Sequence, residues 1–190
     1  MAEALVIIPT YNEKENIERI IRTVFSLQTD FHILIVDDNS PDGTQEIVKH
    51  LQGEYEHKLF LLPRAGKQGL GTAYIAGFKW SLERHYQFIF EMDADFSHDP
   101  DELPRNINFF YKNSLDLLVG SRYLKKSKII NWSLRRRVFS ISANYLARKL
   151  LKVPIYDFTN GYRMYSKKSV KIITRNCGKI GDGFIILSEI

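Results

Sequence analysis

Two aspartates separated by a single residue follow an apolar run near the middle of the chain. Asp93 and Asp95 come directly after residues 88–92, and Ala94 lies between them. Residues two apart in an extended segment point the same way, so both carboxylates can converge on one point. Adjacent carboxylates repel, and a hard divalent cation such as Mg²⁺ or Mn²⁺, held by carboxylates and substrate phosphates, relieves that repulsion. The pair therefore predicts a metal site, with capping or solvated acids as the alternative.

Four other titratable positions carry weaker signals. Asp37 and Asp38 follow an apolar run and could accept hydrogen bonds from a base or a ribose. Alternatively, they belong to the N-terminal turn of the next helix, where acidic residues are favoured. The pattern leaves both interpretations open. His98 is interpreted as a local turn contact rather than a ligand, and Glu91 is assigned no role.

A basic cluster follows a later apolar run. Arg122 ends that run, while Arg136 and Ser140 lie four residues apart, which places them on one face of a helix. An arginine fork matches the geometry of a phosphate. The same helix carries an apolar stripe, and a basic helix of that kind suits an anionic membrane surface, the alternative being a solvated charged face. The stripe consists of Val138, Ile141, Tyr145 and Leu146.

The elements that must position these residues are short apolar runs alternating with helical patterns. Strands are predicted at 4–8, 31–36, 58–62, 88–92 and 115–119, and helices at 15–27, 45–51, 72–83 and 135–151, with a further helix starting at 99–102. Continuous apolar strands, each followed by a helix, predict an α/β fold with a mostly parallel sheet covered on both faces. Ligands bind outside the carboxyl ends of such strands, where the polar clusters lie.

Several protein classes are excluded or disfavoured by the composition. The 190 residues predict a single domain, and 44 % hydrophobic with 26 % charged residues excludes a disordered chain. One cysteine, Cys177, excludes an intramolecular disulfide and favours a reduced, intracellular setting. No signal peptide or membrane-spanning apolar run is visible, and the net charge of +5 indicates an anionic partner. The glycine-rich residues 66–71 match neither the dinucleotide nor the phosphate-loop pattern and predict a turn before the third helix.

Seven segments, in order along the whole chain, resemble the family 2 glycosyltransferases of the GT-A fold, a Rossmann-like nucleotide-diphospho-sugar transferase fold. More narrowly, they resemble the polyprenol-phosphate (dolichol-phosphate) mannosyltransferase group. The segments are VIIPTYNEKENI (6–17), VDDNSPDGT (36–44), GLGTAYIAGF (69–78), MDADFSHDP (92–100), GSRY (120–123), NWSLRRRVFSISAN (131–144) and DFTNGYRMY (157–165).

The resemblance implies an activity, its partners and a location. The expected donor is GDP-mannose, the acceptor is a polyprenyl (dolichyl) phosphate, and the cofactor is Mg²⁺ or Mn²⁺. A single in-line displacement would invert the sugar carbon and give a β-linked mannosyl phosphate. The protein would be cytoplasmic and peripheral on the cytosolic face of a membrane, with no nucleic-acid partner.

The resemblance also implies roles for matching residues. Asp93 and Asp95 would hold the metal and act in catalysis with Arg122. The acceptor phosphate would be bound by Arg122, Arg136 and Ser140. The nucleotide sugar would be bound by Pro9, Tyr11, Glu13, Val36, Asp38, Asp93, Ala94 and Asp95.

Two departures from the family pattern and two rival functions complete the expectations. Ser97 stands where some relatives place a metal-binding glutamine, so water is expected there, and residues 184–190 match a segment that continues in relatives, so a C-terminal segment is expected to be lacking. One rival is the same fold using UDP-glucose, another nucleotide sugar or another acceptor. The remote rival is a non-catalytic nucleotide- or RNA-binding module acting through residues 135–137, which sparse aromatic residues disfavour.

Overall fold

The computed structural model describes residues 3–124 and 133–177, in which strands and helices alternate for most of the chain. The strands are β1 (Ala4–Thr10), β2 (Phe31–Asp37), β3 (Leu59–Pro63), β4 (Phe88–Glu91), β5 (Leu117–Val119) and β6 (Arg163–Ser166). The helices are α1 (Ile17–Ser26), α2 (Thr44–Glu54), α3 (Leu70–Leu82), α4 (Leu103–Lys112), α5 (Leu134–Leu151) and α6 (Lys167–Asn176). A short 3₁₀ turn, Pro100–Glu102, precedes α4.

The strands form one mixed sheet in the order β3-β2-β1-β4-β6-β5. β1 to β4 run parallel, whereas β6 is antiparallel to both of its neighbours, β4 and β5. The predicted α/β fold with a mostly parallel sheet is therefore confirmed. The prediction had no strand at β6 and no helix at α6, because β6 reads Arg-Met-Tyr-Ser and lacks the continuous apolar run by which the other strands were recognised.

Both faces of the sheet are covered, as predicted. Alternate residues of β1 face opposite sides, so that Val6 and Ile8 pack with α1, α2 and α4 while Leu5 and Ile7 pack with α3 and α6. The helices supply the rest of each layer through residues spaced three or four apart. The buried helical residues include Ile17, Ile20, Val48, Leu51, Leu103 and Phe110 on the first face, and Tyr74, Phe78, Val170 and Ile173 on the second.

Helix α3 packs unusually close to β1. A Cβ atom added at Gly77 would lie 2.7 Å from Ile7 Cγ2, a separation that real side chains do not tolerate. Gly77 therefore lets the helix axis approach the centre of the sheet. Because positions three apart share a helix face, this contact also directs Tyr74 toward the carboxyl end of β4.

Several predicted boundaries shift without changing the architecture. β1 continues to Thr10, so Pro9 lies within the strand, and β4 ends one residue earlier than predicted, at Glu91. The helix start predicted at 99–102 is confirmed, and Asp99 caps it, since its Oδ1 accepts from the Asp101 N–H at 3.0 Å. The predicted turn before the third helix is confirmed by Gly69, whose φ of 92° immediately precedes α3.

Candidate functional site

The Asp93–Ala94–Asp95 segment lies directly beyond β4, at the carboxyl edge of the sheet. Asp95 is exposed, and its Oδ1 accepts a hydrogen bond from the Ser97 N–H at 2.9 Å. The side chain of Asp93 is 34 % exposed, while Ala94 is buried. Phe96 has a φ of 59°, so the chain turns sharply just after the second aspartate. The two carboxylates thus occupy the edge at which the sequence predicted a ligand.

Two side chains hold Asp93 from below. The Tyr74 hydroxyl donates to Asp93 Oδ1 at 3.1 Å, and the Asp93 N–H donates to His98 Nδ1 at 3.0 Å. Tyr74 is fully buried, and this burial, together with the neighbouring Asp93 and Glu91, raises its pKa well above 10. The phenol therefore keeps its proton and remains a hydrogen-bond donor to the carboxylate.

His98 connects this segment with a distant loop. Its Nδ1 accepts from the backbone, so the ring proton lies on Nε2, which donates to Asn160 Oδ1 at 3.1 Å. Burial lowers the pKa of His98, which favours this neutral form. The predicted turn contact is confirmed by the bond to Asp93, whereas the contact with Asn160, 62 residues away, was not predicted.

The residues at this edge fit a hard divalent cation. Two carboxylates, Asp93 and Asp95, are within the number that Mg²⁺ usually takes from a protein, the other ligands being water and substrate phosphate. Tyr74 orients Asp93 in the way that outer hydrogen-bond partners orient metal-binding carboxylates. Among residues 3–124 and 133–177, no three or more His, Cys, Asp and Glu side chains are grouped to hold a metal ion.

The residues predicted to bind the nucleotide lie at the ends of β1 and β2. Pro9 is the register partner of Val36, whose side chain is fully buried in the layer under α3. Tyr11 is 38 % exposed, and Lys67 Nζ lies 4.4 Å from the centre of its ring. The Glu13 N–H donates to the Thr44 hydroxyl at 3.0 Å. Their roles toward a nucleotide stay predictions.

The two acids after β2 differ sharply in their surroundings. Asp37 is fully buried and accepts hydrogen bonds from Thr10, Ser40 and Gln45, so its oxygens stabilise the loop before α2. Asp38 Oδ2 accepts from the Gln68 N–H at 3.0 Å.

The other carboxylate oxygen of Asp38 is buried without a directed hydrogen bond from the described residues. Arg64 and Asp38 form an ion pair, with Nε 3.2 Å from Oδ1. Neither Asp38 Oδ1 nor Arg64 Nη1, however, has a well-directed hydrogen-bond partner in the described part of the chain. A buried polar atom in this state is costly unless a ligand or water supplies the missing partner. Asp38 Oδ1 is therefore a candidate acceptor for a ligand N–H or O–H group.

On the opposite side, Arg122 is held by a buried carboxylate. Its Nε and Nη2 donate to the two oxygens of Asp157 at 2.8 and 2.7 Å, and Nη2 also donates to the Thr159 hydroxyl at 2.7 Å. These bonds raise the pKa of Arg122. Burial alone would raise the pKa of Asp157, but the bonds from Arg122 outweigh it and lower that pKa.

Of the remaining predicted acceptor residues, only one side chain is described. The Ser140 hydroxyl hydrogen-bonds the Tyr123 hydroxyl, which places α5 beside the segment that carries Arg122. Arg136 belongs to α5, but its side chain lies outside the described residues. The structure thus brings Ser140 to the loop of Arg122 and leaves the position of the Arg136 side chain as a prediction.

The 157–162 loop joins these two sides of the site. Asn144 of α5 accepts from the Phe158 N–H at 2.7 Å, and Asn160 Nδ2 donates to the Gly120 carbonyl at 2.8 Å. At the other end, a Cβ on Gly161 would lie 3.9 Å from Asp93 Oδ1. Sequence reasoning assigned no roles to Asp157 or Asn160. The only signal was that both belong to the DFTNGYRMY segment.

Glu91, which was assigned no role, is fully buried beneath Asp93. It lies directly opposite Arg163 in the β4–β6 register, and Tyr165 donates to its Oε2 at 3.0 Å. Burial raises the pKa of Glu91 to about 8, although Arg163 and Tyr165 act against that rise. Oε1 has no hydrogen-bond partner among the described residues. Glu91 is therefore a buried acid whose ionisation is resisted by its surroundings.

The chain is similar to known proteins in both sequence and fold. Over 169 residues, the chain is 45 % identical to the polyprenol monophosphomannose synthase of Mycolicibacterium smegmatis, covering 89 % of this chain and 63 % of that protein. It is 39 % identical to the undecaprenyl-phosphate mannosyltransferase of Micrococcus luteus, covering 89 % of this chain and 68 % of that protein. The chain thus spans about two thirds of the length of these relatives.

The fold resembles that of solved glycosyltransferase structures. The glucosyl-3-phosphoglycerate synthase of Mycobacterium tuberculosis, solved with Mn²⁺, UDP and phosphoglyceric acid, aligns with a TM-score of 0.69 at 16 % identity, covering 98 % of this chain and 62 % of that one. At this identity the likeness concerns the fold alone. Residues 5–173 match the family model described as glycosyl transferase family 2. The resemblance noted from the sequence is confirmed, and the chain belongs to glycosyl transferase family 2.

Proposed function

We propose that this chain, as a single transferase domain, moves mannose from GDP-mannose to a polyprenyl phosphate with the help of Mg²⁺ or Mn²⁺. The observation that carries the proposal is the placement of Asp93 and Asp95 at the carboxyl edge of the sheet, with Arg122 on the far side of the 157–162 loop. The names of the two curated relatives support both the sugar and the acceptor. Mn²⁺ in a structure of the same fold supports a divalent cofactor in general.

On the donor side, each residue has a distinct task. Asp93 and Asp95 would hold the cation, which when bound would supply positive charge that favours departure of the diphosphate. Asp38 Oδ1, buried and without a directed partner among the described residues, accepts from an N–H of the base. Tyr11 offers its exposed ring, while Pro9, Glu13, Val36 and Ala94 form the wall beside the nucleotide, Val36 and Ala94 through main-chain atoms because their side chains are buried.

On the acceptor side, arginines position the nucleophile. The attacking atom is a phosphate oxygen, which is already anionic near neutral pH because the second pKa of a phosphomonoester is about 6. No strong general base is therefore required, and Arg122, Arg136 and Ser140 contribute by orienting the phosphate for in-line attack. A single displacement of this kind inverts the sugar carbon.

Helix α5 supports a peripheral location on the cytosolic face of a membrane. The residues of its apolar stripe are exposed by 46–62 %, and the helix also carries arginines and lysines. Such a surface binds anionic lipid through buried apolar area and electrostatic attraction. A polyprenyl acceptor, which is itself anchored in the bilayer, would then be presented beside Ser140. In the described part of the chain, no helix is both long and apolar enough to cross a bilayer.

Transfer of labelled mannose from GDP-mannose to a polyprenyl phosphate tests the proposal. We expect transfer that a chelator abolishes and that Asp93→Asn or Asp95→Asn reduces by at least about 100-fold, as for loss of a group that stabilises transition-state charge. Asp101→Asn, which removes an exposed acid from the 3₁₀ turn that follows this segment, is the matched control and should retain activity. Full transfer by both site variants would overturn the metal-assisted mechanism.

The rival donor and the rival class need separate measurements. Because the same fold accommodates UDP in a related structure, the fold alone does not select the base. Binding of GDP-mannose and UDP-glucose should be compared with Mn²⁺ present, and tighter binding of UDP-glucose would refute the mannose donor. A non-catalytic RNA-binding module would bind RNA as well or better in the Asp93→Asn variant, because negative charge has been removed.

A further inference from the structure

A continuous run of hydrogen bonds joins the donor side of the site to the acceptor side. It starts at the Asp93 N–H, passes through both ring nitrogens of His98, continues through the amide of Asn160 and ends at the Gly120 carbonyl. Gly120 is two residues from Arg122. Three hydrogen bonds of 2.8 to 3.1 Å therefore connect the segment of Asp93 with the segment of Arg122.

Each group in this run has one orientation. The backbone N–H of Asp93 is a donor, which makes His98 Nδ1 an acceptor and Nε2 a donor. Asn160 Oδ1 receives that donor and also the Tyr162 N–H at 3.2 Å, so its Nδ2 faces the Gly120 carbonyl. Reversing either side chain would set donor against donor or acceptor against acceptor.

The run is also confined sterically. His98 and Asn160 are 7 % and 9 % exposed, and the ring of Tyr162 stacks on that of His98 with centroids 5.0 Å apart. A Cβ at Gly120 would lie 3.1 Å from both Asn160 Nδ2 and the Tyr162 carbonyl oxygen. The three connected segments therefore have little room to slide past one another.

We propose that His98 and Asn160 are positioning residues that set the separation between the Asp93 carboxylate and the Arg122 guanidinium. The inference rests on the proposed function, in which Asp93 would bind the sugar diphosphate through the divalent cation and Arg122 would bind the attacking phosphate. Displacement requires the reacting atoms to approach to about 3–3.5 Å, and a misplacement of about 1 Å can cost about 100-fold in rate. A fixed link between the two halves provides that accuracy before either substrate arrives.

Two substitutions of His98 break the run on opposite sides. In His98→Asn, the side-chain carbonyl can take the place of Nδ1. This variant keeps the hydrogen bond to the Asp93 N–H and loses the hydrogen bond to Asn160. In His98→Gln, the longer side chain can reach the position of Nε2. This variant keeps the hydrogen bond to Asn160 and loses the hydrogen bond to the Asp93 N–H. If His98 served only as a local turn contact to Asp93, His98→Gln would disturb the protein and His98→Asn would not. If His98 links the two sides of the site, both substitutions break that link.

The first measurement is transfer kinetics combined with binding. For His98→Asn we expect kcat to fall about 10- to 100-fold and the KM for polyprenyl phosphate to rise, the size of effect seen for outer hydrogen-bond partners of metal sites. Affinity for Mn²⁺ with GDP, measured by calorimetry, should stay within about threefold because the Asp93 bond survives. Asn160→Ala should match His98→Asn, and the double variant should be no worse than either single variant, because all three break one unit.

A second measurement needs no turnover and keeps the test independent of the proposed reaction. Farnesyl phosphate is titrated into the protein with and without GDP and Mn²⁺. In the wild type the two affinities should differ by about fivefold or more, and in His98→Asn the difference should vanish. His85→Asn, at an exposed histidine outside the site, is the matched control.

The outcomes separate the two proposals. Unchanged kcat and acceptor KM in a folded His98→Asn variant, or equal farnesyl phosphate affinities in the wild type, would overturn the positioning role. If His98→Asn does not fold, Asn160→Ser, which removes the amide N–H that donates to the Gly120 carbonyl, replaces it in both measurements. Failure of the wild type to transfer mannose would refute the proposed function, while the farnesyl phosphate titration would still decide whether the two sides are coupled.

Discussion

The guanidinium of Arg122 and the carboxylate of Asp157 face each other in a two-pronged pair, with Nε–Oδ2 and Nη2–Oδ1 distances of 2.8 and 2.7 Å. Asp157 is fully buried, whereas the Arg122 side chain is 29 % exposed. The backbone N–H of Arg122 adds a third bond to the same carboxylate at 3.1 Å. Asp157 thus fixes both the main chain and the side chain of the arginine on which acceptor binding is proposed to depend.

Replacing Asp157 with asparagine should destabilise the protein. The change leaves Arg122 without its counter-charge and sets an amide group against a guanidinium donor. Loss of one partner of a buried ion pair costs 3–5 kcal/mol, and the partial exposure of Arg122 reduces this to about 2–3 kcal/mol. Urea unfolding measures the loss. Asp30→Asn, which breaks the half-exposed pair with Lys58, should cost less than about 1 kcal/mol, and equal losses would contradict the argument.

Tyr74→Phe should weaken metal binding with little effect on the fold. The phenylalanine ring fills the same buried space, but the hydrogen bond that orients Asp93 is lost. We expect affinity for Mn²⁺ in the presence of GDP to fall about 10- to 100-fold, while the free energy of unfolding changes by about 1 kcal/mol.

A matched control lies in the same layer. Tyr165 is equally buried, but it donates to Glu91 instead of Asp93. Tyr165→Phe should therefore leave Mn²⁺ affinity unchanged at a similar cost in stability. Equal losses of Mn²⁺ affinity in the two variants would mean that general loosening of the layer, and not the bond to Asp93, is responsible.

The parts of the fold that could be predicted from the sequence are those determined by local pattern. β1 and β2 are buried on both faces and consist mostly of consecutive apolar residues, so they were identified within a few residues. β6 inserts between β4 and β5 with a buried arginine, Arg163, whose polar atoms are satisfied by the Asn160 and Phe158 carbonyls. No local pattern indicates a buried strand that carries an arginine, because the acceptors for its guanidinium are backbone carbonyls of the preceding loop.

The same distinction applies to the site. Asp93 and Asp95 were recognised because their position at the end of a strand is a local property. The partners that orient the site lie far along the chain: Tyr74 is 19 residues from Asp93, Asp157 is 35 from Arg122, and Asn160 is 62 from His98. Two of these three pairs depend on the loop that leads into β6, so a prediction without β6 could not bring them together.

Gly77→Ala tests the close packing of α3 on β1. The new methyl group would lie 2.7 Å from Ile7 Cγ2, and Ile7 is itself fully buried, so the helix must shift. Overpacking of this kind costs about 1–3 kcal/mol. The control is Gly53→Ala in α2, where the added Cβ atom has no neighbouring atom within 4 Å. There, the better helix propensity of alanine should stabilise the protein by up to about 1 kcal/mol. Thermal unfolding of both variants gives the comparison. A stabilised Gly77→Ala variant would show that the space between Gly77 and Ile7 can accommodate a methyl group.

Glu91 should make stability depend on pH in the direction opposite to most acids. Its pKa is raised from 4.5 to about 8 in the folded protein, so the folded state binds this proton more tightly than the unfolded chain does. The contribution of Glu91 to stability is therefore fully present below about pH 4.5 and is lost as the pH rises toward 8. Each pH unit in that window removes up to about 1.4 kcal/mol.

Glu91→Gln isolates this contribution, because glutamine has nearly the same shape and does not ionise. Urea unfolding of wild type and variant at several pH values between about 5 and 8 should give a stability difference that grows in favour of the variant as the pH rises. Glu83→Gln, at a side chain that is 75 % exposed, is the matched control. A difference for Glu91→Gln that is flat across the range would mean that Arg163, directly opposite on β6, keeps the buried carboxylate ionised in the folded protein.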